Sequence, residues 1–359
     1  MREQAKRKAA FIWRAPHPRR MGVDLSDVVP KQSRKLEDFQ GKVIAIDAYN
    51  ALYQFLSSIR QPDGTPLKDK RGRITSHLSG LLYRTANLAE AGIRPVYVFD
   101  GKPPQLKRAT LDERKERKVQ AQADYEDALE KGDTARAFSK AQQTSHLTQD
   151  MAGEAKELLT ALGIPWVQAP SEGEAQAAHM AAQGKVYAAS SQDFDALLFG
   201  APRLVRNLAV TGKRKLPGKS VWVDVEPELL ELESVLKEVS LTREQLVDAG
   251  ILVGTDFDPG VKGVGPKRAV KLMREKGNLL DVLVQLGADI PEAEQIREIF
   301  LRPEVTDDYD VTFKPVNEAR VVEILVREHD FGEDRVKSTF PRYAKLSESL
   351  KQRSLDAFF

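Results

Sequence analysis

The sequence of 359 residues contains no cysteine. That absence excludes disulfides, zinc–thiolate sites and cysteine nucleophiles together. Histidine is scarce as well, five residues scattered along the chain, which argues against a histidine-rich metal cluster. No apolar run approaches the roughly 18 residues that a membrane-spanning helix needs, so no membrane association is expected. Any chemistry must come from carboxylates, Lys and Arg, hydroxyls or the backbone. What remains is 41% hydrophobic and 30% charged, the balance of a globular chain. Its length allows one large domain or two fused lobes.

The formal net charge of +2 hides an uneven distribution. Residues 1–20 hold seven Lys or Arg against one Glu, and the remainder carries 48 basic and 52 acidic residues. Their apolar stretch "AAFIW" is too short for a secretory signal. A transit peptide, a disordered arm and a start upstream of the true Met21 are the open readings.

From Lys42 the pattern "KVIAIDA" is a short β-branched run ending at Asp47, followed by the helix-like "YNALYQFLSSI". "RPVYVFDG" repeats the arrangement with Asp100, and "KVYAASSQDFD" repeats it with Asp193 and Asp195. Continuous apolar strands alternating with helical patterns predict an α/β fold, a mostly parallel central sheet with helices on both faces. Ligand sites in such folds gather at the carboxyl ends of strands. The charged, helix-prone stretch from Lys102 to about Leu147 is too long for a loop without a task. After Asp224 the reading is mainly helical, interrupted by "GTDFDPGVKGVGPKRAVKLMREKG".

Each acidic group has an ordinary explanation. Ser171 to Glu174 fits a capping box. Asp193 and Asp195 suit the first turn of a helix. Asp47 and Asp100 suit turns or caps, and Asp258-Pro259-Gly260 suits a turn, leaving Asp256 beside it. Jointly they read differently. Carboxylates delivered by several strand ends and helix starts to one sheet edge would repel, and some would have to protonate. Hard divalent cations remove that conflict, and an all-oxygen donor set suits Mg²⁺ or Mn²⁺. Two such ions support phosphoryl displacement without cysteine or histidine.

Bases surround these acids in sequence. Lys102–Gln120 has seven basic and three acidic residues, and Lys107 and Arg114 stand about two helical turns apart, on one face. The bland alternative is a solvated, salt-bridged helix. Arg203–Lys219 has six basic residues and no acid, the pattern of a basic hairpin beside the acids. Gly263 and Gly265 precede a helix near Pro266, where amides can approach a phosphate and Lys267 and Arg268 add charge; an ordinary tight turn is the alternative. Acids to hold metal and bases to hold a nucleic-acid backbone are what a nuclease needs.

The ordered motifs "IAIDA", "TSHLSGLLYRT", "RPVYVFDGKPPQLK", "APSEGEAQAA", "SSQDFDALLFGAPRLVRNL", "GKRKLPGK", "ILVGTDFDPGVKGVGPKRAVKL" and "QRSLDAFF" resemble the flap endonucleases, within the XPG-type 5′-nuclease superfamily with its PIN-like core. The archaeal branch is the most similar, and the resemblance runs from Met21 to Phe359. It implies seven metal-site carboxylates, Asp47, Asp100, Glu172, Glu174, Asp193, Asp195 and Asp256, selecting Asp256 over Asp258, with two Mg²⁺ ions that Mn²⁺ can replace. It further implies that Lys107 and Arg114 contact the scissile phosphate and that Tyr53 stacks on a base. Residues 102–147 would form a helical arch. Residues 250–276 would form a helix-turn-helix element that grips duplex backbone through Gly263, Gly265, Lys267 and Arg268, often with a monovalent cation.

The tail 346–359 matches a box for a PCNA-type sliding clamp through Gln352, Leu355, Phe358 and Phe359. The nuclease core is expected over 21–345 (an N-terminal part 21–120 and an internal part 140–275), and 1–20 as a non-native or disordered extension. The native chain is expected to begin at Gly22, directly after Met21 and close to the active site. The implied activity is cleavage of 5′ flaps at the single-strand/double-strand junction, with 5′–3′ exonuclease activity, in Okazaki fragment maturation and base excision repair. The rivals are a 5′ exonuclease or repair-incision relative, and a non-catalytic scaffold binding DNA and clamp. A monomer is expected, cytoplasmic and nucleoid-associated in an archaeon, nuclear in a eukaryote.

Overall fold

The computed structural model describes residues 22–61, 63–133, 136, 139, 140, 144–215 and 222–346. The extension 1–20 and the clamp-box residues Gln352, Leu355, Phe358 and Phe359 lie outside the described residues. Strand β1 (Gln32–Ser33) precedes β2 (Val43–Asp47), where β-branched residues favour an extended backbone and the last four are buried. Helix α1 (Ala48–Ser58) begins where the Asp47 carboxylate accepts the Asn50 amide, 2.9 Å away, a side-chain cap on an otherwise unpaired donor. Then follow α2 (Ser76–Glu90), β3 (Arg94–Phe99), α3 (Arg108–Glu130), α4 (Gln149–Ala161), β4 (Trp166–Gln168), α5 (Gly173–Ala182), β5 (Ala188–Ser190), α6 (Asp195–Leu198) and β6 (Arg203–Arg206). A hairpin, β7 (Gly212–Lys215) and β8 (Trp222–Val225), leads to β9 (Glu228–Glu231). The chain then runs through α7 (Leu232–Val239), α8 (Arg243–Val253), α9 (Pro266–Lys276), α10 (Leu279–Leu286), α11 (Ala293–Leu301), α12 (Glu318–Val322) and α13 (Glu333–Lys337).

Seven strands form one sheet in the order β1-β9-β6-β5-β2-β3-β4. The run from β6 to β4 is parallel throughout, and β1 and β9 join antiparallel at the other edge. From β2 the chain moves outward through β3 and β4, then returns on the other side of β2 with β5. The strand order therefore reverses between β2 and β5, a switch point where ligand crevices open at strand carboxyl ends. One hydrophobic cluster, from Val23 to Leu346, packs the sheet and its helices.

The region after Asp224 is mainly helical, as its pattern indicates, and opens on the end of β8 and on β9. "ELLE" alone fits a helix as well as a strand; pairing with β6 and β1 makes it extended. Helix α8 begins at Arg243, ahead of residue 250, behind a capping box of Thr242 and Gln245.

Candidate metal centre and nucleic-acid interface

The seven carboxylates arrive on five stretches of backbone. Asp47 ends β2 and Asp100 follows β3. Glu172 is the N-cap of α5 and Glu174 sits in its first turn. Asp193 lies in the turn after β5, Asp195 opens α6, and Asp256 lies in the loop after α8. The capping-box alternative for Ser171–Glu174 does not form: the cap is Glu172, without a side-chain bond. Asp258 is the turn acid instead, accepting the Gly260 amide at 2.7 Å.

Short bonds stitch the acids together. Asn50 Nδ2 donates to Asp193 Oδ2 at 3.2 Å while its backbone amide donates to the capping Asp47 carboxylate. The Gly173 amide donates to Asp100 Oδ1 at 2.6 Å, and a Cβ on Gly173 would stand 2.7 Å from that oxygen. Only glycine lets α5 start this close to β3. The segment ahead of β1 enters as well. Gly22 N donates to Asp256 Oδ1 at 2.9 Å and Val23 N to Asp195 Oδ1 at 2.7 Å. Gly22, with φ +68°, thus lies in the site, as the resemblance implied.

The electrostatics show what is missing. Burial and then the Asp100 charge push Asp47 up to about 8, and burial and Asp256 push Asp195 up to about 7. Glu174 and Asp193 are driven well above the carboxylate range by burial and by Asp195. Burial raises Asp100 and Glu172 too, despite the Lys107 ammonium nearby. Burial also opposes ionisation of Asp256, but Lys107 and Arg114 hold it below its ordinary value. Two cationic side chains add to the relief that backbone amides give. Lys107 Nζ lies 2.5 Å from Glu172 Oε2 and 3.4 Å from Asp256 Oδ2, and Arg114 Nη2 lies 2.5 Å from Asp256 Oδ1.

Seven acids against two bases leave a deficit of positive charge. Among the described residues Glu174 Oε1 is buried with no hydrogen-bond partner, so it is free to accept a donor or a cation. An all-oxygen, under-neutralised set of this kind fits a hard divalent metal. Among the described residues no three such side chains are already closed around one ion position; Lys107 and Arg114 take up the opposing charge instead.

The arch residues behave as their spacing suggested, with one difference. Lys107 belongs to a 3₁₀ turn, Gln105–Lys107, and only Arg114 stands in α3, yet both reach Asp256. On α1, the Tyr53 ring carries Lys118 of α3, whose Nζ is 4.9 Å from the centroid and 3.2 Å from the hydroxyl. Gly263 turns with φ +80°, Gly265 is the N-cap of α9 with Pro266 at its first position, and Lys267 and Arg268 are exposed there. Open space beside both glycines leaves these amides accessible. Of the basic run, Arg203–Arg206 form β6 of the main sheet and Gly212–Lys215 form β7, paired antiparallel with β8.

Sequence reasoning passed over Asn50, Val23 and Lys118. Only Asn50 left a signal, three residues after a strand-ending aspartate at the spacing of a cap.

Residues 21–121 match the XPG N-terminal domain and residues 163–256 the XPG I-region. The chain is 53% identical over 340 residues to flap endonuclease 1 of Pyrococcus furiosus, covering 94% of this chain and 99% of that protein. It is 54% identical over 349 residues to flap endonuclease 1 of Caldivirga maquilingensis, with 94% and 100% covered. Among solved structures it is similar to flap endonuclease-1 from Methanococcus jannaschii: TM-score 0.74, 43% identity, 91% of this chain and 100% of that one. The catalytic core of Rad2 in complex with DNA substrate aligns with TM-score 0.65 at 25% identity, over 87% of this chain and 96% of that one.

Proposed function

The chain belongs to the flap endonuclease family, and from that premise we propose how its own residues carry out the reaction. It is a structure-specific nuclease, a hydrolase of phosphodiester bonds that cuts 5′ flaps, the activity of Okazaki fragment maturation and base excision repair. Our reading is that Asp47, Asp100, Glu172, Glu174, Asp193, Asp195 and Asp256 hold two Mg²⁺ ions, with Mn²⁺ able to substitute. Bound there, divalent cations supply an activated water-derived nucleophile at neutral pH and neutralise charge on the phosphoryl oxygens.

Lys107 and Arg114 pair with Glu172 and Asp256 of that set. With those acids neutralised by metal, both side chains would be free to bind a phosphodiester. There they hold the scissile phosphate and stabilise the charge that grows on it. The attacking water displaces the 3′ oxygen in line: a P–O bond to water forms, the bond to O3′ breaks, and the products end in a 5′ phosphate and a 3′ hydroxyl. Tyr53 exchanges its Lys118 partner for a base, and stacking of that kind is worth about 1–3 kcal/mol. The N-terminus of α9, with Gly263, Gly265, Lys267 and Arg268, grips the duplex backbone and could share a monovalent cation with it.

Three further parts rest on sequence. Gln352, Leu355, Phe358 and Phe359 form the clamp-binding segment, the protein acts as a monomer on branched DNA, and it works in the cytoplasm beside the nucleoid, as archaeal relatives would. No described helix is long and apolar enough to cross a membrane.

The observation that carries this reading is the convergence of seven acids from separate elements with Lys107 and Arg114 upon them. Its test is cleavage of a labelled 5′ flap with and without Mg²⁺, using Asp193→Ala as control. Cleavage by the variant at the wild-type rate, or none by wild type, overturns it.

A further inference from the structure

Asn50 ties together two strand ends that the reversal of strand order makes neighbours. It is buried in the first turn of α1. Its backbone amide donates to Asp47 Oδ1 at 2.9 Å, at the end of β2. Its side-chain Nδ2 donates to Asp193 Oδ2 at 3.2 Å, in the turn after β5. Strands β2 and β5 run parallel side by side, with Ile46 opposite Ser190. One residue thus spans the gap between two acids of the proposed metal set.

The direction of the side-chain amide is fixed one helical turn further on. Gln54 Nε2 donates to Asn50 Oδ1 at 2.6 Å, at the i, i+4 spacing where side chains of a helix meet. With its oxygen occupied, Asn50 presents nitrogen to Asp193; the reversed amide would set two acceptors against each other. Among the described residues Gln54 Oε1 is buried without a hydrogen-bond partner, an arrangement that costs stability. A local cost of that kind, one helical turn from the acids, is what a functional constraint leaves behind.

Asp193 needs such a hold. Asp195, Asp256 and Asp47 all repel its charge, while Lys107 and Arg114 are paired with Glu172 and Asp256. A neutral amide steadies a carboxylate without cancelling the charge that a cation needs. The remaining lone pairs of both oxygens stay open. We propose that Asn50 is a positioning residue that holds Asp193 beside Asp47 for a divalent cation, and that Gln54 acts through it. The proposal deepens the nuclease reading above and rests on its metal set. Groups that hydrogen-bond to ligating carboxylates change metal affinity or activity by about 10–100-fold when removed.

The test measures Mn²⁺ binding to the full chain without DNA, from the electron paramagnetic resonance signal of the free ion. Asn50→Leu, close in size but without the amide, should weaken binding about tenfold or more. Gln54→Met should weaken it in the same sense but less. Its melting temperature in EDTA should stay level or rise, because the unpartnered buried oxygen is gone. In the double variant Gln54→Met should add nothing further, as expected of a residue that acts through another. Flap cleavage by each variant should need correspondingly more Mg²⁺ to reach half its maximal rate. A merely structural role would lower the melting temperature and leave Mn²⁺ affinity alone. Wild-type affinity in Asn50→Leu, or a full additional loss in the double variant, overturns the proposal. If Asn50→Leu folds poorly, Gln54→Met decides, and wild-type affinity there overturns it equally. Failure of wild type itself to bind Mn²⁺ or to cleave a flap would overturn the nuclease reading instead.

Discussion

Arg114 Nη2 lies 2.5 Å from Asp256 Oδ1, the same oxygen that accepts the amide of Gly22. One carboxylate thus joins α3, the loop after α8 and the segment at Gly22. Arg114→Ala should lower kcat for flap cleavage by about 10²–10³-fold, the usual effect of removing a group that stabilises transition-state charge. It should also lower the melting temperature in EDTA, because Asp256 loses its nearest cation. Single-turnover kinetics and a melting curve check the two parts, and an unchanged melting temperature would count against the resting-state pairing.

Asp193 should behave in the opposite sense. Burial and the neighbouring Asp195 make its charge unfavourable in the free protein. Asp193→Asn removes a repelling charge with little change of shape, so melting in EDTA should rise by a few degrees while cleavage falls at least about 100-fold. Added Mg²⁺ should then stabilise the variant less than wild type. A variant that is both less stable in EDTA and fully active would refute the electrostatic account.

Gly22 and Gly41 offer a matched pair. Both have positive φ, +68° and +73°, but a Cβ at Gly22 would meet Asp193 Cβ at 2.9 Å, whereas nothing lies within 4 Å at Gly41. Alanine at either position should cost about 1–3 kcal/mol of backbone strain. Only Gly22→Ala should also displace Asp193 and Asp195, lowering kcat about tenfold or more. Equal kcat for both variants would show that the amide at residue 22 is incidental to the reaction.

A second buried cluster governs acid stability. His77 Nε2 contacts Glu154 at 2.9 Å, and His329 lies 3.7 Å from Glu154 and 3.6 Å from Asp69. Burial holds His329 below its ordinary value of 6.5. Burial works against ionisation of Glu154 and Asp69, yet the His77 bond and the Arg73 amide and guanidinium keep both below their ordinary values. In all three cases the unfolded chain binds more protons, so stability falls as pH falls. The histidine part is lost first, from just above 6.5 downward, and the carboxylate part follows below about 4.5. His329→Gln should flatten urea-unfolding stability between about pH 7 and 5 and leave the more acidic loss in place. An unaltered slope in that interval would exclude His329 as its source.

Much of the fold was legible because buried parallel strands are nearly continuous apolar runs. "VIAID" and "RPVYVF" needed no context, and β2 and β3 occupy those residues. The charged insert was equally plain: α3 is dominated by charged and polar residues with no sustained apolar face. Strands β1 and β9 were not legible. Two and four residues long, they carry too little pattern, and their extended state comes from partners far along the chain. In the site, Asp193 and Asp195 could be suspected from their place after a strand, and Phe194 between them is buried in the core, with the Arg206 guanidinium 4.4 Å from its ring centroid. Lys118 could not be suspected, since nothing in a charge run says which lysine will lie on Tyr53.

The sequence by itself determined the chemical inventory: no thiols, few imidazoles, seven candidate carboxylates at strand ends and helix starts, and cations on a long polar insert. Composition and local periodicity are properties of neighbouring residues, and they survive without a fold. Only the tertiary structure decided that Asp47, Asp193 and Asp256, separated by as many as 209 positions in the sequence, share one low-dielectric pocket. It alone put Gly22 and Lys107 against Asp256. Charge repulsion and burial act through space, so their outcome depends on the reversal of strand order at β2 and β5, which no single stretch of the chain encodes.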